Sequence, residues 1–195
     1  KNFPLSPPLG VKVFLEKNNR RYLRRLTDID FHHLITVSDF QAQQLEVEMG
    51  KSPGYVIPWA LETSEISSMA DQQRPMDILG VGSLLPVKNW ITWLEVVQRI
   101  VQKMPNTRAV LIGNGPEHHK IADFIEKNGL SQHIVLLGAL PRKKVLEYMT
   151  QSKILLHTAQ FESFGYVLAE ARAFGCQIIS TPVGIAVDVG ITGKT

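Results

Sequence analysis

Cysteine is almost absent from this sequence. A single Cys176 excludes an internal disulfide framework and any metal site built from several cysteines. Long apolar runs are missing as well. The longest stretch without a charged side chain, Ala173–Val187, has 15 residues and is broken by Gly175, Pro182 and Gly184. That is too short and too interrupted to span a bilayer. No basic-then-apolar leader opens the chain, which leaves the cytoplasm as the expected compartment. Repeats and low-complexity tracts are lacking. A net charge of +3 is too small to argue for nucleic acid, and no aromatics interleave with basic residues in the way that stacks bases.

What the sequence does have is a core. Hydrophobic residues make up 44% and charged residues 20% of the 195, so a globular fold is expected. The charge is uneven. Residues 1–30 hold seven basic groups (Lys1, Lys12, Lys17, Arg20, Arg21, Arg24 and Arg25) against Glu16, Asp28 and Asp30. This segment reads first as a solvated helix face and second as a contact for phosphate or anionic lipid.

Two kinds of pattern run along the chain. Residues 1–10 hold three prolines and read as extended, and 16–26 as a polar helix. Leu34–Val37 reads as a short strand. Ser38 and Gln41 form a capping-box pattern that opens a helix running to about Met49, with Gly50 as its terminator. Val56–Pro58 is extended, and Glu62 to Pro75 reads as a polar linker. From Met76 the pattern is regular. Strand-like runs at Met76–Val81, Ala109–Ile112, Ile134–Leu137, Ile154–His157 and Gln177–Ser180 alternate with helical segments at 89–104, 117–128, 142–151 and 165–174. The first of these helices carries the apolar stripe Ile91, Leu94, Val97 and Val101, flanked by Trp90 and Ile100. Alternating strands and helices mean an α/β fold, with a Rossmann-like parallel sheet covered by helices on both faces. Ligands in such sheets sit where strands end and loops enter helices. The loops of interest are therefore 82–89, 113–117, 138–142, 158–165 and 182–190.

Two phosphate motifs fail on inspection. Gly80-Val-Gly82 begins like a dinucleotide fingerprint, but Leu85 stands in place of the third glycine and no acidic residue follows the next strand. Gly193-Lys194-Thr195 resembles the end of a Walker A loop, but Asp188 occupies the position of its first glycine. The loop 158–165 is more informative. It carries Glu162 and enters the helix that holds Glu170, with seven residues between the two carboxylates. The N–H groups near Phe164 and Gly165 are placed to face a diphosphate, and a carboxylate can accept from two sugar hydroxyls at once. Lys88 brings a movable cation to the mouth of the first strand.

In order along the chain come Val81-Gly-Ser-Leu-Leu-Pro-Val-Lys88-Asn, Val110-Leu-Ile-Gly-Asn-Gly-Pro116, Ile134-Val-Leu-Leu-Gly138, Phe161-Glu-Ser-Phe-Gly-Tyr-Val-Leu-Ala-Glu-Ala171 and Ser180-Thr-Pro-Val-Gly184. Together they resemble the donor-binding domain of a GT-B glycosyltransferase, more narrowly the retaining family 4 enzymes (glycosyl transferases group 1). Leu34-Ile-Thr-Val-Ser38 and Val56-Ile-Pro58 resemble the end of the first GT-B domain. The resemblance implies a division into a tail of the N-terminal, acceptor-side domain over 1–58, an interdomain linker over 59–75 and a donor-binding domain over 76–195. On this reading the chain is the truncated C-terminal half of the enzyme, incomplete at its end and unable to transfer sugar alone.

The resemblance also implies roles. Glu162 contacts the donor sugar and places it for transfer, as the catalytic residue. Glu170 holds the ribose hydroxyls, and Lys88 holds the diphosphate. The N–H groups of Phe164, Gly165 and Tyr166 bind sugar hydroxyls or phosphate, and the backbone of Gly138, Ala139 and Leu140 meets the base. The donor is a UDP-, GDP- or ADP-sugar, with no metal and no further cofactor. The acceptor is a glycan or a lipid-linked sugar in polysaccharide or lipopolysaccharide synthesis, held by the absent domain. Peripheral contact with the cytoplasmic face of a membrane is compatible with the basic N-terminal segment. A nucleotide-sugar binder that has lost catalysis and a GT-B epimerase stand as alternatives. His157 reads as pocket wall, His118 and His119 as solvated, and Cys176 as core. There are departures from the family pattern. Ser83 stands where an arginine is usual, Trp59-Ala60 replaces Asn-Gly after Pro58, Ile185 replaces a second glycine, and Asp188 replaces a glutamate.

Overall fold

The structure, a computed structural model, describes residues 30–62 and 73–190. The extended segment expected at 1–10, the polar helix at 16–26, most of the linker and the last five residues lie outside the described residues.

Five strands form one parallel sheet: β3 (Met76–Val81), β4 (Ala109–Ile112), β5 (Ile134–Gly138), β6 (Ser152–His157) and β7 (Gln177–Ser180), in the order β5-β4-β3-β6-β7. The chain thus works outward from β3 to β5 and then returns to add β6 and β7 on the other side. Side chains alternate across the sheet with the period of two that a pleated strand imposes. Ile78, Ala109, Leu111 and Leu156 face one core, and Leu79, Val110, Ile112 and Leu155 face the other.

Two layers of helices cover these faces. Helices α2 (Trp90–Lys103) and α3 (His118–Lys127) close the first. Helices α4 (Arg142–Gln151), α5 (Tyr166–Ala173) and the single turn α6 (Ile185–Asp188) close the second. The stripe of α2 is rotated slightly from the sequence expectation. Trp90, Trp93, Leu94 and Val97 are its buried residues, while Ile91, Ile100 and Val101 are partly buried flanks. Trp93 fills the space that Gly80 leaves, since a Cβ at Gly80 would come within 2.9 Å of its indole.

Strand β6 starts two residues earlier than expected, directly from the last residue of α4. Arg74 explains how so abrupt a junction is satisfied. Its guanidinium donates to the carbonyls of Met149, Ser152 and Phe174, at the ends of α4 and α5. A cation at two helix C-termini completes carbonyls that have no helical partner. Cys176 lies beside it and is buried, as the core reading required; burial pushes its thiol up to about 11.

Ahead of this sheet sit α1 (Asp39–Met49) and a two-stranded parallel pair, β1 (Ile35–Thr36) with β2 (Tyr55–Val56). Ser38 caps α1 by accepting the Gln41 N–H at 3.0 Å, and Gly50 ends it in the left-handed region at φ 64°. The return bond of the expected capping box is shifted by one residue: Gln41 Oε1 accepts from the N–H of Val37, not of Ser38. Both strands of this pair are shorter than Leu34–Val37 and Val56–Pro58 suggested, although Ile57 N–H still bonds to the Thr36 carbonyl.

Candidate functional site

The order of the sheet places its switch point between β3 and β6, the neighbours from which the chain departs in opposite directions. Ligands of open parallel sheets bind at the carboxyl ends of the strands beside such a point. The loops that leave β3 and β6 are 82–89 and 158–165, and they are laced together. Gln160 N–H bonds to the Val87 carbonyl at 2.8 Å, and Thr158 Oγ1 donates to the carbonyls of Lys88 and Asn89.

The lacing brings Lys88 and Glu162 together from 74 residues apart, and the Lys88 ammonium ion-pairs with Glu162 Oε1. Both side chains are largely covered, at 17% and 14% exposed. His157, the last residue of β6, approaches the same oxygen, with Nε2 3.2 Å from Glu162 Oε1. The approach is an electrostatic contact rather than a hydrogen bond, because the ring N–H is not aligned with the oxygen. Nε2 is therefore buried without a hydrogen-bond partner among the described residues. Burial raises the Glu162 pKa, but the His157 and Lys88 contacts outweigh it and hold the carboxyl below its usual value.

Glycines let the neighbouring loop close on this group. Gly184, at φ 52°, lies so near that a Cβ there would be 2.4 Å from the Phe164 carbonyl and 3.2 Å from Glu162 Cβ. Ile185 N–H then bonds to that carbonyl at 2.7 Å. Gly165 takes the position before α5 in the left-handed region, at φ 82°, and among the described residues no side chain caps that helix. Its first N–H groups are therefore open to an anion, which the helix dipole favours. Phe164 and Gly165 are buried, and Tyr166 is half-buried.

Glu170 is also buried, at 8%, on the inner flank of α5. The structure adds a partner for it that no sequence signal announced: Arg142 Nε, at the start of α4, lies 3.0 Å from Glu170 Oε1. Arg142 follows Gly138, Ala139 and Leu140 by only a few residues, so the segment expected to meet a base and the carboxylate expected to hold a ribose adjoin. Gly138 is left-handed at φ 71°, and its carbonyl accepts the Gly113 N–H at 2.9 Å, tying the ends of β4 and β5. Ser83 is exposed; its carbonyl accepts the Trp90 indole N–H at 2.9 Å, and its hydroxyl adds no charge to the site.

The segment 30–62 reaches the same loops. Ser38 Oγ donates to the Ser163 carbonyl. Phe40 packs on Phe161, and Trp59 on both Phe164 and Tyr166. The Tyr166 hydroxyl donates to the Ala60 carbonyl at 3.1 Å. The replacement of Asn-Gly by Trp59-Ala60 thus contributes an aromatic anchor. An open apolar groove of about 600 Å³ lies beside it, lined by Ile35, Val37, Ile57, Pro58, Trp59 and Tyr166, apart from the charged groups. The mutual geometry of the charged groups is the guide to the chemistry. Among the described residues no three His, Cys, Asp or Glu side chains gather to hold a metal ion.

A parallel sheet in this order is Rossmann-like, and the solved structures it matches are GT-B glycosyltransferases. It superposes on a mutant of S. aureus TarM, solved with fondaparinux, α-GlcNAc-glycerol and UDP, with a TM-score of 0.74 at 18% identity, covering 88% of this chain and 34% of that one. The model of the family "Glycosyl transferases group 1" matches residues 64–195, and the chain belongs to that family. Among its relatives is the phosphatidylinositol N-acetylglucosaminyltransferase gpi3 subunit of Schizosaccharomyces pombe, 30% identical over 166 residues, or 83% of this chain and 36% of the relative. Another is the 2-deoxystreptamine N-acetyl-D-glucosaminyltransferase of Niallia circulans, 27% identical over 118 residues, or 60% of this chain and 30% of the relative. The chain spans about a third of the length of these relatives.

Proposed function

We propose that this chain is the donor-binding part of a retaining glycosyltransferase, and that its donor is a uridine diphosphate sugar, with UDP-N-acetylglucosamine the first to test. The observation that carries the reading is the convergence of Lys88 and Glu162 on the open N-terminus of α5, with Glu170 further along the same helix. The choice of sugar is supported by the two relatives named above, both N-acetylglucosaminyltransferases. Their acceptors differ, which agrees with an acceptor chosen by parts of the protein beyond this domain. A glycan or a lipid-linked sugar is the proposed class.

The chemistry follows from charge. In glycosyl transfer the bond between the anomeric carbon and the β-phosphate oxygen breaks, and the nucleoside diphosphate leaves with the bonding electrons. Lys88 and the first N–H groups of α5 stabilise that growing charge. Glu162 accepts hydrogen bonds from sugar hydroxyls and fixes the ring, while Glu170 accepts from the ribose diol. The acceptor hydroxyl then bonds to the anomeric carbon on the face that the diphosphate left, and passes its proton to the departing β-phosphate oxygen.

Calorimetric titration with UDP, GDP and ADP, repeated on Glu170→Ala, tests the reading. Binding of UDP that is lost in the variant supports it. Failure of all three nucleotides to bind sinks it. The absence of a second cation at Ser83 favours one other reading, a relative that binds the donor without turning it over. UDP binding without any UDP release from a UDP-sugar would select that reading.

A further inference from the structure

Lys88 cannot serve two anions at once. Its ammonium is engaged by Glu162, yet a diphosphate at the N-terminus of α5 requires the same cation. When Lys88 turns to the diphosphate, Glu162 remains as a largely buried carboxylate without its partner, a costly arrangement. His157 is the group already in place to take over. It is 4% exposed, fixed at the end of β6 by pairing with β7, and its Nε2 has no hydrogen-bond partner among the described residues. The same ladder holds its backbone, because the His157 carbonyl accepts the Thr181 N–H at 3.0 Å. A small turn of the carboxylate aligns Oε1 with Nε2. The other oxygen, Oε2, takes no hydrogen bond from the described residues and is left for a ligand. Facing a carboxylate, the ring carries its proton on Nε2.

We propose that His157 is a positioning residue that holds the Glu162 carboxylate in place for the sugar once Lys88 has moved to the donor diphosphate. This inference rests on the donor-binding reading and adds to it a handover between two partners of one carboxylate oxygen. A residue that only walled the pocket would need no unpartnered nitrogen within 3.2 Å of a Glu162 oxygen.

The test uses the full-length protein as wild type, His157→Gln, His157→Asn and His157→Leu. Calorimetric affinity for UDP and the rate of UDP release from UDP-N-acetylglucosamine are measured on each. The glutamine amide nitrogen can reach the position of Nε2; the asparagine amide stops short of it. With a handover, UDP affinity falls in His157→Asn and His157→Leu, because Lys88 leaves Glu162 without a partner when it turns to the diphosphate, and is kept in His157→Gln. The rate constant kcat falls about 100-fold in His157→Asn and His157→Leu, the order of loss that a misplaced reacting group brings, and recovers in His157→Gln. If His157→Leu does not fold, the comparison of His157→Gln with His157→Asn decides. Equal rates in wild type and His157→Asn overturn the proposal. So does a parallel loss of UDP affinity and rate in His157→Gln and His157→Asn, which marks a packing role. Failure of the wild type to bind any nucleoside diphosphate overturns the donor-site reading itself, and is distinguished from the former outcomes by the UDP titration.

Discussion

Asp188 completes the N-terminus of α1 from 148 residues along the chain: its Oδ1 accepts the Phe40 N–H at 2.9 Å, and its Oδ2 accepts the Asp39 N–H at 3.0 Å. Ser38 supplies the third acceptor, for Gln41 N–H. The segment around α1 and the loop after β7 are therefore joined by a divided helix cap. A shared cap ties the orientation of α1 to the loop that also closes over Phe164. Asp188→Ala removes two charge-assisted acceptors and is expected to cost about 1–2 kcal/mol, while Asp188→Asn keeps part of it. Urea denaturation followed by circular dichroism measures this. Equal stability of Asp188→Ala and wild type would show that the contact contributes nothing.

The Lys88–Glu162 pair gives a prediction in two parts. Lys88→Ala leaves a covered carboxylate unpaired and is expected to lower stability at neutral pH by about 1–3 kcal/mol. Adding Glu162→Gln should restore part of that loss, since the amide needs no counter-charge; a double-mutant cycle reads the coupling. The pH dependence has a definite sign. The folded-state pKa of Glu162 lies below its ordinary value of 4.5. The carboxylate thus contributes stability that is fully present above the unfolded-state value and is lost as pH falls through the lower, folded-state one. Denaturation midpoints collected downward from neutral pH should decline less steeply in Glu162→Gln than in wild type in that acidic range. Parallel curves would remove Glu162 from the account.

Arg142 and Glu170 predict how the nucleotide is held. If Arg142 orients the carboxylate for a ribose diol, Arg142→Ala should weaken UDP by about 10-fold, one charge-assisted hydrogen bond, and leave 2′-deoxy-UDP nearly unaffected. Glu170→Ala should erase the difference between the two ligands. Competitive titration of both nucleotides on the three proteins measures it. Equal weakening of UDP and 2′-deoxy-UDP in Arg142→Ala would place Arg142 elsewhere on the nucleotide.

Gly184 is the backbone position with least tolerance around Glu162. Its φ of 52° is left-handed, and an added Cβ would meet the Phe164 carbonyl at 2.4 Å. Backbone cannot yield there as a flexible side-chain end would. Gly184→Ala is expected to cost about 1–3 kcal/mol and to weaken nucleotide binding with it. Thermal denaturation with and without UDP checks both effects.

The strands of the large sheet could be read because each is a compact apolar run bounded by turn residues, and period-two burial on both faces makes such runs nearly continuous. Met76–Val81, Ala109–Ile112 and Gln177–Ser180 have the boundaries their pattern implied. The start of β6 at Ser152 was hidden, because the signal that permits it is Arg74, a side chain far away in sequence that completes the carbonyls of the junction. Trp93 was missed in the buried stripe for a related reason: its place depends on the absence of a Cβ at Gly80 in another element. At the site, the family resemblance of the loops singled out Lys88, Glu162 and Glu170, and the structure brings the first two together. Their other partners were not legible. Arg142 and Asp188 meet their counterparts only after separate elements come together, and His157 meets Glu162 only because the loop after β6 folds back on the strand's end; no local period or cap records these meetings.

Ser83 offers a gain-of-function test of the whole site. It stands exposed at the mouth of β3, where the family pattern carries an arginine, and only its backbone carbonyl is engaged, by Trp90. A longer side chain can therefore enter without displacing a core contact. Ser83→Arg should add a charge-assisted, bidentate hydrogen bond to a diphosphate and tighten UDP binding by about 10- to 100-fold. UMP should gain less, because it lacks the β-phosphate on which Lys88 and the new guanidinium converge. Raised salt should shrink the gain, as screening requires of a partly exposed pair. A Ser83→Arg protein that binds UDP no better than wild type would mean that the diphosphate does not pass over the end of β3. The roles assigned to Lys88 and to the N-terminus of α5 would then need to be redrawn together.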